Sequence, residues 1–327
     1  MKNLVSNFTN QLREALQIGA AAKLTEGSRS FSNIVVTGLG GSGIGGTILS
    51  DVVAQEVKIP MLVNKDYFLP AFVDERTLLI VCSYSGNTEE TLMALEEGER
   101  RKAKIVCVSS GGRMLELAAA KSYDHIRIPG GLPPRACLGY SLPQLFFVLH
   151  HFALIGNHFL AEFQRAIALL DEQEQQVLKT AHEVASKLLG KIPVIYSVAG
   201  YEGVAVRFRQ QINENSKELC WHHVVPEMNH NELVGWKNNN DKLAVVIFRN
   251  EDDFERSQTR LEINKAVIAK CTNTIIELHA MGSTRLERAL YDIHLGDWVT
   301  VFIAELKNID PVEVKVIDFL KGELSKS

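Results

Sequence analysis

Short apolar runs alternate with amphipathic stretches along the first half of the chain, and the alternation begins again past the middle. The first set of runs is Asn33-Ile-Val-Val-Thr-Gly38, Pro60-Met-Leu-Val63, Leu78 to Cys82, Lys104 to Val108 and His125 to Ile128. Each reads as a buried strand, and the stretches between them have helical spacing. Strands alternating with helices predict a parallel sheet covered on both faces. A helix is expected ahead of this unit, from about Leu4 to Lys23. Pro129-Gly-Gly-Leu-Pro-Pro134 ends the unit, and an apolar helix from about Ser141 to Ile155 follows. A long helical stretch from about Leu160 to Leu189 then leads to a second series. Its strands are Pro193-Val-Ile-Tyr-Ser197, Leu243 to Phe248 and Asn273 to Glu277, and a helix from Val204 to Glu218 follows the first of them. Two helices are expected to close the chain, about Arg285 to Lys307 and Val312 to Leu324, with Pro311 at the start of the second. The pattern therefore predicts two α/β units in tandem, residues 1–155 and 156–327.

Composition narrows the class. The chain has 327 residues, 46% of them hydrophobic and 23% charged, enough for two α/β domains of ordinary size. A net charge of −4 argues against a nucleic-acid partner. No apolar run approaches the roughly 18–20 residues of a membrane span, and the N-terminus lacks the pattern of a signal peptide. The cysteines Cys82, Cys107, Cys137, Cys220 and Cys271 are scattered, which fits reduced thiols in a cytoplasmic protein.

Two turns carry candidate chemistry. Gly38-Leu-Gly-Gly-Ser-Gly-Ile-Gly-Gly46 is a glycine loop after the first strand, with helix expected from Thr47 to Val53. Its Gly38-x-Gly40-x-x-Gly43 spacing fits a dinucleotide site, which would also need an acid at the end of the second strand, where Asp66 is nearest. The loop also fits a bare tight turn, or a site where a small substrate lies against backbone. The second turn, Ser83-Tyr-Ser-Gly-Asn-Thr-Glu-Glu90, follows the third strand and opens a helix. Hydroxyls and free N–H groups at a helix start suit a phosphate. Helix capping would use some of these residues. Three hydroxyls, at Ser83, Ser85 and Thr88, exceed what one cap needs, and a sugar phosphate would use both turns together.

These two turns resemble the sugar isomerase (SIS) domain. Pro133-Pro-Arg-Ala136, Leu138-Gly-Tyr140, Glu214-Asn-Ser-Lys217, Pro226-Glu-Met-Asn-His-Asn-Glu232 and Gly235-Trp236 extend the likeness to the bifunctional phosphoglucose/phosphomannose isomerases, from the first strand to Lys307. The resemblance implies two tandem doubly wound, flavodoxin-like parallel-sheet domains of SIS type with N- and C-terminal helices. It implies an aldose–ketose isomerase working through an enediolate, with no metal or nucleotide cofactor. The substrate would be a sugar phosphate, and the enzyme a homodimer with its active site at the subunit interface. Ser83, Ser85 and Thr88 would hold the phosphate, with Ser42 nearby. Glu214 would be the base, and partial burial is expected of it. His230, donated by the other subunit, would open the sugar ring. Arg135 and the Gly41 N–H would steady the enediolate. Thr300 would leave room for the C1–C2 bond to rotate, and Lys307 would lie by the ring oxygen.

One segment departs from the family pattern. Glu218-Leu-Cys-Trp-His-His223 replaces the small or proline residues expected after Lys217 and puts substrate preference in question. A metal cluster of Cys220, His222 and His223 matches no zinc spacing. Three rival readings stay open: an isomerase of another phosphosugar, a non-catalytic sugar-phosphate regulator, and an NAD-dependent oxidoreductase using the glycine loop.

Overall fold

The computed structural model describes residues 1–25, 30–324 and 326. The five apolar runs of the first unit form β1 (Asn33–Thr37), β2 (Met61–Asn64), β3 (Thr77–Cys82), β4 (Lys104–Ser109) and β5 (Asp124–Arg127). They pair in parallel in the order β2-β1-β3-β4-β5, the doubly wound flavodoxin-like order. β1 and β3 are buried along their whole length, which is why they read as unbroken apolar runs. Helices α4 (Glu89–Arg100) and α5 (Gly112–Lys121) cover one face, over Val35, Leu79 and Val81. Helix α3 (Gly40–Val53) covers the other.

The second sheet is also all parallel, in the order β7-β6-β8-β9. Its strands are β6 (Ile192–Val198), β7 (Trp221–Val225), β8 (Leu243–Arg249) and β9 (Ile275–His279). Between the sheets lie α2 (Phe8–Ala21), α3, α6 (Leu138–His151), α7 (Phe159–Glu172), α8 (Glu174–Leu188), α9 (Glu202–Gln211) and α11 (Arg285–Leu306). One hydrophobic cluster runs through all of them, from Ile34 of the first sheet to Val245 of the second. Helix α11 is buried almost end to end and carries Arg288, Asp292, His294, Asp297 and Thr300 into that interior. Short α1 (Lys2–Ser6) precedes α2, α10 (Glu255–Ile268) lies on the outer face of the second sheet, and α12 (Lys315–Leu324) ends the chain.

Several boundaries differ from the sequence pattern. The glycine run is the first turns of α3 rather than a loop. A side chain at Gly46 would meet Val36 at 2.8 Å, so the glycines let this helix press onto β1, and packing outweighs their weak helix propensity. The long helical stretch breaks at Gln173 into α7 and α8. The helix expected to reach Glu218 stops at Gln211 and opens into a π turn, Ile212–Ser216. β7 appears where no strand was expected, because it is a half-exposed edge strand with two histidines. Pro311 lies in a bend, and α12 starts only at Lys315.

Helices α3 and α9 pack together with their directions reversed. Gly203, in the first turn of α9, lies against Ile48, and its N–H donates to Asp51 Oδ2 at 2.6 Å. At the other end Gln210 shares a cleft with Gly40 and Gly43. Burial pushes the Asp51 carboxyl up from near 3.8 to about 6, against the lowering effect of the Gly203 N–H. Its folded value lies above its unfolded one, so its contribution favours folding below about pH 4 and is lost as pH rises through 6. Asp51→Asn keeps an acceptor for Gly203 and removes the buried charge. Thermal melts should show it stabilised at pH 8 by up to about 2–3 kcal/mol, with the gain vanishing near pH 4; a variant less stable than wild type at pH 8 would contradict this account.

Candidate active site

The two turns singled out in the sequence meet at the carboxyl ends of β1 and β3. These strands are neighbours, with Thr37 opposite Val81, and their following helices leave to opposite faces. That is the crevice where open α/β sheets bind ligands. At the start of α3 the N–H groups of Ser42 and Gly43 bond to Leu39 O, which leaves those of Gly40 and Gly41 without a helical acceptor. Ser42 Oγ accepts from Tyr84 N at 2.9 Å and so ties the glycine helix to the hydroxyl turn.

Within that turn Ser83 Oγ and Thr88 Oγ1 are 2.9 Å apart, and Ser83 Oγ accepts from Gly86 N at 3.1 Å. Exposed Ser85 accepts from Asn87 N at 3.2 Å. Simple capping is not what Thr88 does: its hydroxyl turns to Ser83, and α4 begins with no side-chain cap. The turn therefore presents a hydroxyl cluster at an uncapped helix start. Gly86 has φ +69°, and a Cβ there would strike Gly111 O, so no other residue fits without moving the β4 loop. Beside the glycine helix lies a cleft of about 220 Å³ lined by Gly38, Gly40, Gly43, Lys65 and Gln210. Lys65, rather than an acid, faces this cleft from the end of β2. Asp66 lies on an exposed turn and binds the N–H of Tyr67 at 2.6 Å. The dinucleotide reading loses its ribose partner.

The carboxylate and the guanidinium come together at the far end of α9. The π turn that ends this helix carries Glu214, 27% exposed, next to fully buried Asn215. Such turns recur at functional sites. Arg135 sits in a 3-10 turn, Pro134–Ala136, and is buried. A Cβ at Gly41 would lie 2.8 Å from Arg135 N, so glycine at this position lets the start of α3 press against the arginine's backbone. Arg135 Nη1 is 3.2 Å from Glu214 Oε2, and Nε donates to Asn215 Oδ1 at 2.8 Å. Burial pulls Arg135 below the usual arginine range, while Glu214 and Asp310 pull it back. Its carbonyl accepts from Arg207, which pairs with Asp297 at 2.6 Å inside the protein.

Behind this pair, Asn215 Nδ2 donates to Thr300 Oγ1 at 3.0 Å, and Thr300 donates to Asp297 O. Ser216 Oγ bonds Thr300 O. Lys307 Nζ reaches Ser216 O at 2.9 Å and pairs with Glu218. Thr300 and Lys307 thus flank the π turn, with Thr300 fully buried behind Asn215.

His230 lies elsewhere. Helices α9 and α11 cover one face of the second sheet, joined where Arg207 and Gln211 bond Asp297. The 3-10 turn Glu227–His230 belongs to the opposite face with α10, where Asn229 bonds Asn264 at 2.6 Å. The second sheet stands between exposed His230 and Glu214 of the same chain. His222 and His223, which follow Cys220 in the chain, lie on β7. His222 pairs with Glu202 at 3.3 Å, and His223 Nδ1 accepts from Val224 N. Among the described residues no group of three or more His, Cys, Asp or Glu converges as metal ligands would, and no helix is long and apolar enough to cross a membrane.

Residues 178–324 match the family model described as the bacterial phospho-glucose isomerase C-terminal SIS domain. The chain is 37% identical over 332 aligned residues to a bifunctional phosphoglucose/phosphomannose isomerase of Caldicellulosiruptor bescii, covering 98% of each protein. It is 38% identical to the protein of that name from Aquifex aeolicus, over 90% of this chain and 91% of that one. The chain belongs to the bifunctional phosphoglucose/phosphomannose isomerase family. Its fold also matches the C-terminal domain of glucosamine-fructose-6-phosphate aminotransferase from Francisella tularensis, with a TM-score of 0.76, 14% identity, and 95% and 98% of the two chains covered.

In this member of the family the fold gathers Gly41, Arg135 and Glu214 at one point and Ser42, Ser83, Ser85 and Thr88 at another, on the same edge of the first sheet. Lys65, at the cleft, has no signal in the sequence, whereas Asn215 and Lys217 stand inside the Glu214-Asn-Ser-Lys217 motif. The place of Asn215 as the link from Arg135 to Thr300 depends on the π turn. The departing segment is partly explained: Glu218 is the carboxylate that holds Lys307, and Trp221 to His223 are the start of β7. Gly86→Ala should lower affinity for inorganic phosphate at least about tenfold by calorimetry, because the strained turn must give way. An unchanged affinity would remove this turn from the anion site.

Proposed function

We propose that the protein interconverts glucose 6-phosphate, and mannose 6-phosphate, with fructose 6-phosphate. Family membership supports the reaction class. The observation that carries the residue assignment is the Glu214 carboxylate held 3.2 Å from the Arg135 guanidinium beside the uncapped start of α3.

In this reading the first unit, residues 1–155, anchors the phosphate through Ser83, Ser85, Thr88 and Ser42. The second, residues 156–327, brings the base. Moving a proton between C1 and C2 makes an enediolate whose charge must be met by fixed donors. Arg135 Nη1 and the Gly41 N–H are those donors, and Glu214 carries the proton across one face. Lys307 lies toward the ring oxygen, and Thr300 backs the wall near C1 and C2. Ring opening needs an acid–base group, and His230 of the same chain lies across the second sheet from Glu214. His230 of a second subunit fills that role in a cytoplasmic homodimer, its exposed ring free to enter a neighbour's site.

Purified protein should turn over both aldohexose phosphates in a coupled assay without added metal, and Glu214→Gln should lose at least about two decades of rate. Activity surviving in Glu214→Gln would remove the assigned base. The partner assignment has its own test. Glu214→Gln and His230→Ala, each inactive alone, should recover roughly a quarter of wild-type activity after subunit exchange, since half the dimers then hold one intact shared site. No recovery would place His230 outside the partner's site.

A further inference from the structure

A guanidinium has five N–H donors. In Arg135 the chain itself takes four of them: Nε serves Asn215, one Nη1 hydrogen serves Glu214, and Nη2 reaches Pro311 O at 2.7 Å and Val312 O at 3.0 Å. The donor left over is on Nη1, the nitrogen beside Glu214.

The carbonyls on Nη2 belong to a strap, residues 310–313, that joins α11 to α12. Packing does not hold this strap in place. No residue from Glu305 to Leu324 is buried, and α12 exposes Val316 and Phe319. The bonds that bring it onto the body come from two cations, Arg135 itself and Lys217, whose Nζ donates to Glu313 O at 2.6 Å. Lys217 is the residue that closes the π turn. It stands in the left-handed region at φ +55°, and its amine also donates to the carbonyl of Glu214. Burial, with Arg135 close by, draws its ammonium below the usual lysine range, while the neighbouring carboxylates of Glu313, Asp310 and Glu214 act the other way. The contacts form a ring: Arg135 to Glu214, Glu214 O to Lys217, Lys217 to Glu313 O, and the carbonyls of Pro311 and Val312 back to Arg135.

We propose that Lys217 is a positioning residue that latches the Pro311–Glu313 strap across Arg135, so that main-chain carbonyls occupy Nη2 and Nη1 is turned toward the reacting carbons. Neutral carbonyls suit this task. They fix the plane of the guanidinium without cancelling its charge, whereas a second carboxylate would spend the charge an enediolate needs. The inference rests on Arg135 being the enediolate donor.

Lys217→Asn tests it, because asparagine accepts a positive φ and the backbone of the π turn is kept. Lys217→Arg restores a cationic donor. Amide hydrogen exchange in residues 309–314 should rise at least about tenfold in Lys217→Asn and fall back in Lys217→Arg, with α3 and α9 unchanged. In the same proteins kcat should drop about 10- to 100-fold in the asparagine variant and recover with arginine. KM should move less than about threefold, because the phosphate turn lies in the other unit. Unaltered exchange in the strap would overturn the latch. A loosened strap with kcat unchanged or raised would overturn its role in orienting Arg135. Wild-type protein inactive on both aldohexose phosphates would instead sink the isomerase reading, and the exchange result would still decide whether Lys217 holds the strap.

Discussion

The reversed contact of α3 with α9 is what everything else in this structure hangs on. Each helix belongs to a different sheet, and each offers one end to the other. The start of α3 brings Gly41 against the backbone of Arg135, and Arg135 reaches across to Glu214 at the end of α9. The end of α3 brings Asp51 to the first-turn N–H of Gly203 at the start of α9. A shift of one helix along the other would break both contacts at once. The site is therefore not a loop feature added to two finished domains. It is one end of the interface that makes them a single packed body, with a continuous core through both sheets.

That interface carries unusual amounts of charge for a protein interior. Arg207 and Asp297 pair at 2.6 Å, both nearly inaccessible, and Gln211 completes the carboxylate's partners. Burial raises Asp297, with Arg207 and Gln211 opposing it. Buried pairs of this kind are weak evidence for stability and are better understood as fixing a geometry. Here the geometry fixed is the backbone of Arg135, whose carbonyl Arg207 also holds, and the hydroxyl of Thr300, which donates to Asp297 O. Preorganised donors cost no rearrangement when charge develops in a reaction.

The alternation of buried strands and amphipathic helices was legible because β1, β3, β6 and β8 are apolar along nearly their whole length. The hydroxyl turn was legible because hydroxyls and glycine cluster where a strand ends. The features that escaped are those set by tertiary context. Trp221-His-His-Val-Val225 has no alternating pattern, and it is a strand because β6 offers a free edge. Nothing near Gln173 marks the break between α7 and α8, since no glycine or proline stands there. The π turn at Ile212–Ser216 exists because Asn215 and Ser216 both have partners on α11, a fact no local window contains. That Thr88 leaves α4 uncapped has a similar cause: its hydroxyl meets Ser83, five residues back across the turn.

The same topology that brings Arg135 and Glu214 together also sets where His230 lies. In a doubly wound sheet the crossovers before and after the point of reversal go to opposite faces. Glu214 comes from the crossover between β6 and β7, and His230 from the connection between β7 and β8, so a sheet separates them by construction. Residues 226–236 are tied down where they lie: Tyr196 donates to the Glu232 carboxylate, and Asn229 donates to Asn264 Oδ1.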